Sequence, residues 1–127
     1  MKEITVSAAI ILNSNNEVLI TQRGYGNNKG KWEFPGGKIE EGETPEKTLI
    51  REIKEELDAN IIIERKLGVI TYTYDDFVLH MHNFVCHFTN DHYQLLEHMD
   101  GKFVSIKDIE KYDLLEADKT LIKEINI

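Results

Sequence analysis

The chain has one cysteine, Cys86, in 127 residues. A single thiol excludes an internal disulfide and a cysteine-based zinc knuckle. Basic residues are in deficit, 15 Lys and Arg against 23 Asp and Glu, a net charge of −8. A module that binds duplex nucleic acid normally displays a basic stripe, and this balance argues against one. No run of eighteen apolar residues occurs, and no basic-then-apolar leader, so neither a membrane span nor a secretory signal is expected. Internal repeats, low-complexity stretches and linkers are also missing. These absences lead to the expectation of a reduced, cytoplasmic protein without nucleic-acid polymer or membrane as partner.

What is present is ordinary for a folded domain: 41% apolar and 30% charged residues. The length suits one domain, residues 1–127, around one core. Ile4 to Leu12 alternates and then turns continuously apolar, as a largely buried strand does. Asn13-Ser14-Asn15-Asn16 supplies turn residues, and Val18 to Thr21 reads as the returning strand of a hairpin. Tyr25 to Lys31 reads as a loop, Lys31 to Phe34 as a short extended piece that Pro35-Gly36-Gly37 ends. Ile61 to Tyr74 and Phe77 to Thr89 are β-branched and aromatic stretches joined by Asp75-Asp76, a long hairpin. Lys102 to Ser105 adds a strand, and helical patterns follow near Ile106–Lys111 and Asp118–Ile125. The fold class is α+β with a mixed or mostly antiparallel sheet.

The acidity is concentrated. From Lys38 to Asp58 eight acids face four bases, a net −4 and half of the total excess. Thr44-Pro45 is a helix start, Thr as N-cap and Pro at the first helical position. The helix runs to about Leu57, with Leu49, Ile50, Ile53 and Leu57 forming its buried stripe. At about 100° per residue, Glu52, Glu55 and Glu56 share one face beside that stripe. Like charges so spaced cost roughly 0.2–0.5 kcal/mol per pair, and Arg51 offsets only part of this through Glu55. Two explanations stand at this point, a solvated acidic face and a site for a hard divalent cation that keeps waters for substrate phosphate.

The stretch GGKIEEGETPEKTLIREIKEEL resembles the Nudix box. Gly37, Glu43, Arg51, Glu52, Ile53, Glu55 and Glu56 fall on its fixed positions without a gap, and EFPGGK before it is similar to the MutT branch. The resemblance implies an α/β/α sandwich around a mixed central sheet. It implies hydrolysis of a nucleoside triphosphate to the monophosphate and pyrophosphate by water attack at the β-phosphorus, with Mg²⁺ as cofactor and Mn²⁺ as its substitute. Glu55, Glu56 and the Gly36 carbonyl match metal ligands. Glu52 matches the carboxylate that orients or deprotonates the water and also touches the metal, and Glu97 matches a further metal-binding or base-like carboxylate. A cation of this kind neutralises a triphosphate that a bare acidic helix repels. Arg51 is expected to hold a Glu by charge-assisted hydrogen bonds, and Glu43 to support it or to stand as a loop acid. Gly36 and Gly37 leave no Cβ near the phosphates, and Lys38 meets a phosphate or solvent.

Toward the base, the resemblance places Phe34 beside the ring and Arg23, at the end of the second strand, facing the nucleotide. Asp118 falls where 8-oxoguanine enzymes carry Asn and cytidine-preferring relatives carry Asp; the alternative is a helix N-cap. His80 and His82 share a strand face; that spacing suits zinc, but no regular set of histidines completes it, so a structural role is expected. An arginine common in MutT-type enzymes just before this strand is missing, since Asp76 and Phe77 stand there, and this weakens any transfer of the 8-oxoguanine preference. Asp58 replaces the usual glycine after the helix. The expected partner is a small nucleoside triphosphate, 8-oxo-dGTP or a cytidine type, and the protein a monomer or weak homodimer that sanitises the nucleotide pool. The competing readings are an ADP-ribose or dinucleoside polyphosphate hydrolase and a nucleotide sensor without turnover.

Overall fold

The computed structural model describes residues 1–90 and 92–124. Its elements are β1 (Lys2–Ile11), β2 (Val18–Arg23), β3 (Trp32–Glu33), β4 (Gly36–Lys38), α1 (Pro45–Leu57), β5 (Ile61–Thr73), β6 (Phe77–Phe88), β7 (His98–Val104) and α2 (Glu116–Glu124), with a 3₁₀ turn at Ile106–Lys111. Period-two burial explains the layering. On β1, Ala8 and Ile10 point into a core under α2 while Ala9 and Ile11 point into a second core under α1. Val18 and Ile20 on β2 join the first core and Leu19 the second. Both faces of these strands are covered, so they read as continuous apolar runs. The result is the expected α+β sandwich.

The strands divide into two sheets, β4-β1-β6-β5 and β3-β2-β7. The first is mixed, because β1 lies parallel to β6 and antiparallel to β4. The long β5–β6 hairpin forms as expected. The expected hairpin of β1 with β2 does not. The turn itself is built: Asn13 Oδ1 accepts the Glu17 N–H at 2.9 Å, and Asn16 sits at φ 57°. The two strands then part after a single bridge, Leu12 to Val18, and enter different sheets. Gly36 to Lys38, read as the end of an extended piece, is instead a strand against β1, with Ala8 opposite Gly36.

Helix α1 starts as expected, Thr44 accepting the Lys47 N–H at 3.2 Å. Its buried arc differs from expectation. Leu49, Ile53 and Leu57 are buried together with Glu56, while Ile50 is 46% exposed. Glu56 lies about 20° to one side of Leu49 and Ile50 about 100° to the other, so the stripe is turned toward the carboxylate. The helix ends on Asp58 in the left-handed region, φ 49° and ψ 45°, its N–H bonded to the Lys54 carbonyl. No helix among the described residues is long and apolar enough to cross a membrane.

Candidate active site

Two clefts open where the sheets part. The first, about 250 Å³, is lined by Gly36, Glu52, Glu56 and Glu97 together with Arg23, Gly24, Tyr25, Glu33 and His98. The second, about 110 Å³, is largely apolar, with Phe34, Leu79, Met81, Tyr74 and Ala117 around Asp118. Arg23, Glu33 and Gly36 line both, so the clefts adjoin.

The glycine pair sets the approach of β4 to α1. A Cβ on Gly36 would overlap the Ser7 carbonyl, and one on Gly37 would fall on the Glu52 carboxylate. Glu52 thus lies directly against main chain, as no other residue type permits. Arg51 spans the carboxylates beside it. Its Nε and Nη2 bond Glu43 at 2.7 and 2.9 Å, and Nη1 bonds Glu52 Oε1 at 2.9 Å and Glu55 at 3.2 Å. Glu43 also accepts from Thr48 and from the Glu40 N–H. The Arg51 guanidinium, aided by these bonds, holds Glu43 down to about 2. Glu43 is therefore built into the network.

Glu56 is the most strained ionisable group of the first cleft. Burial, with Glu52, Glu33 and Glu97 nearby, pushes its pKa up to about 9, the Gly36 backbone opposing only in part. Its Oε2 is buried and has no hydrogen-bond partner. Burial likewise raises Glu52, against the pull of Arg51. A buried carboxyl oxygen without a partner is costly, and three further acids around it make a cation the group these residues fit. Among the described residues no three or more acids, histidines or cysteines stand in ligating positions. Glu55 does not line the cleft; it is 54% exposed and paired with Arg51.

The remaining sequence candidates fall as follows. Arg23 donates through Nε and Nη2 to Glu33, both at 3.0 Å. Lys38 is exposed, and its carbonyl accepts from Arg51 at 3.3 Å. Phe34 is 4% exposed. Asp118 is not an N-cap, since α2 begins at Glu116 and the Asp118 carboxyl accepts the Phe34 N–H at 3.1 Å instead. Complete burial, with Glu33 nearby, raises its pKa well above the ordinary carboxylate range. His80 lies outside both clefts, between Thr71 and Glu3. Sequence reasoning passed over Glu33 and His98. An acid between two aromatics, Trp32 and Phe34, and a histidine directly after Glu97 were the available signs.

The chain is similar to known proteins over nearly its whole length. The NUDIX domain matches residues 1–125. The chain is 30% identical over 124 residues to a CTP pyrophosphohydrolase of Escherichia coli (strain K12), covering 97% of this chain and 91% of that one. It is 50% identical over 58 residues to an 8-oxo-dGTP diphosphatase of the same organism, spanning 45% of each. The solution structure of the E. coli ORF135 protein superposes with a TM-score of 0.82 at 29% identity, over 97% of this chain and 88% of that one. The chain belongs to the Nudix hydrolase family.

Proposed function

We propose that the protein hydrolyses a nucleoside or deoxynucleoside triphosphate to the monophosphate and pyrophosphate, with water attacking the β-phosphorus, as part of nucleotide-pool sanitation. The observation that carries the reading is the pair of adjoining clefts. One is acidic and holds Glu56 with its unpartnered Oε2; the other is apolar and holds the buried Asp118. They offer separate places for a polyphosphate and a base on one molecule.

Glu56, Glu52, Glu97 and the Gly36 carbonyl would hold Mg²⁺, or Mn²⁺ in its place, with Glu55 joining once released from Arg51. When bound, such an ion neutralises charge on phosphate and lowers the pKa of a water. Arg51 holds Glu52 Oε1, which leaves Oε2 to take the proton of the attacking water,. Burial raises Glu52, which improves it as a base relative to an exposed acid. Arg23, already fixed on Glu33, presents its remaining N–H groups where the clefts meet. In the apolar cleft Phe34 and Met81 cover the base, and Asp118, which burial pushes toward its protonated form, would in that form both donate and accept,.

Similarity to proteins named for CTP and for 8-oxo-dGTP makes both base types candidate substrates. The test is pyrophosphate release in Mg²⁺ from 8-oxo-dGTP, dGTP, CTP, dCTP, 5-methyl-dCTP and ADP-ribose. Turnover of a triphosphate above all others supports the proposal. Preferred cleavage of ADP-ribose, or tight binding of every nucleotide without turnover, overturns it.

A further inference from the structure

His98 has no part in the roles above, yet the chain departs from a regular ladder to bring it inward. On β2, Gln22 stands opposite Asp100 while the next residue, Arg23, stands opposite His98. β7 therefore carries one extra residue, Met99, at a bulge. In an unbroken ladder Met99 would face Arg23; bulges of this kind re-aim a side chain beside active sites. Met99 is left 56% exposed, whereas the His98 side chain is only 6% exposed.

The imidazole enters a row of charged groups. Arg23 holds Glu33 through two hydrogen bonds. His98 Nε2 lies 3.5 Å from Glu33 Oε2 and 3.5 Å from Glu56 Oε1. Its Nδ1 is buried and has no hydrogen-bond partner. Only a hydrogen on Nε2 can serve Glu33, which Arg23 and His98 keep ionised against its burial. At the end of the row stands Glu56, whose other oxygen is unpartnered. The terminal torsion of a glutamate is broad and two-fold, so rotamer preference does not orient its carboxyl group. Fixed neighbours do, and His98 stands against Oε1 in addition to the Gly36 backbone that bonds this carboxyl.

We infer that His98 is a positioning residue: lodged between Glu33 and Glu56, it relays the rigidity of the Arg23–Glu33 pair to Glu56 and aims the free oxygen of Glu56 into the cleft. The inference rests on the reading of Glu56 as a metal-holding carboxylate. It also links the base side of the site, where Arg23 and Glu33 border the apolar cleft, to the phosphate side.

The test uses three substitutions. His98→Phe fills the space without a donor, His98→Gln brings an amide nitrogen to the place of Nε2, and His98→Asn brings one only to the place of Nδ1. Mn²⁺ binding to the nucleotide-free protein is measured by calorimetry, beside kcat and KM for the best triphosphate and the melting temperature. His98→Phe and His98→Asn are expected to weaken Mn²⁺ binding by about tenfold or more and to lower kcat similarly, with KM little changed. His98→Gln is expected to recover most of both. Mn²⁺ affinity retained in folded His98→Phe or His98→Asn overturns the inference and leaves the proposed reaction standing. So does a His98→Gln variant as weak as His98→Asn. A wild-type protein that binds no Mn²⁺ overturns the metal site and the inference with it, while a wild-type protein that binds Mn²⁺ without hydrolysing triphosphates overturns the proposed reaction alone.

Discussion

Replacing Glu56 by glutamine is expected to make the metal-free protein more stable. The carboxyl has a pKa of about 9 in the folded chain against 4.5 as an ordinary side chain. Below 4.5 both states keep the proton and ionisation costs nothing. Between 4.5 and 9 the unfolded chain releases it while the folded chain retains it, so stability falls as pH rises, by about 1.4 kcal/mol per pH unit. At pH 7, two and a half units along, the loss is about 3 kcal/mol, which an amide does not suffer. For a domain of this size that is a melting difference on the order of 10 °C. The assay is urea unfolding followed by circular dichroism in EDTA, on wild type and Glu56→Gln, from pH 5 to pH 8. The gap opens from under about 1 kcal/mol at pH 5 to about 5 kcal/mol at pH 8. Mg²⁺ at a hundred times its dissociation constant then returns about 2.7 kcal/mol to wild type and nothing to the variant. A gap that is constant across this range refutes the account of Glu56.

Glycine for Asp58 relaxes a left-handed residue that costs a non-glycine side chain about 1 kcal/mol, less a few tenths for the lost Lys54 pair; calorimetry is expected to show a melting point higher by a few degrees, with activity unchanged. Glu43 is held down to about 2 by Arg51, so its contribution is whole above 4.5 and fades as pH falls toward 2; melting curves of wild type and Glu43→Gln, separate at pH 7, are expected to meet near pH 2. Gly37→Ala drives a methyl into the Glu52 carboxylate, and a fall in kcat on the order of a hundredfold is expected with the circular dichroism spectrum intact. Because burial pushes Asp118 toward its protonated form, Asp118→Asn is expected to keep the order of preferred nucleotides, whereas Asp118→Ala raises KM about tenfold or more; a reordering by Asn would show that the group reads its base as an anion.

Periodicity made β1, α1 and the β5–β6 hairpin legible, because each burial pattern repeats within one segment. Strand partners were not legible in the same way. The Asn13–Asn16 turn has the composition of a hairpin and forms, yet the need to cover both faces of β1 and β2 sends them into different sheets. Gly36 and Gly37 looked like a breaker; only the place of Ser7 and Glu52 shows why a strand needs them. The three helical carboxylates lay on one face as their spacing required, but which of them is buried depends on the roll of the helix against β1, β4 and β5. That roll exchanges Ile50 for Glu56. Glu33 and His98 acquire meaning only through partners far away in the chain and through an extra residue at Met99, neither of which a local pattern records.

Glu33, Arg23 and His98 come from the sheet of β2 and Gly36 and Gly37 from that of β1; the two ladders share the Leu12–Val18 bridge and are otherwise joined by the side chains of the two cores. The candidate site is therefore a property of a joint. A disturbance that lets the halves slide by about an ångström parts Arg23, Glu33 and His98 from Glu56 and Gly36 while each ladder keeps its own hydrogen bonds,. Turnover followed in rising urea beside the circular dichroism signal tests this, with loss of turnover expected first.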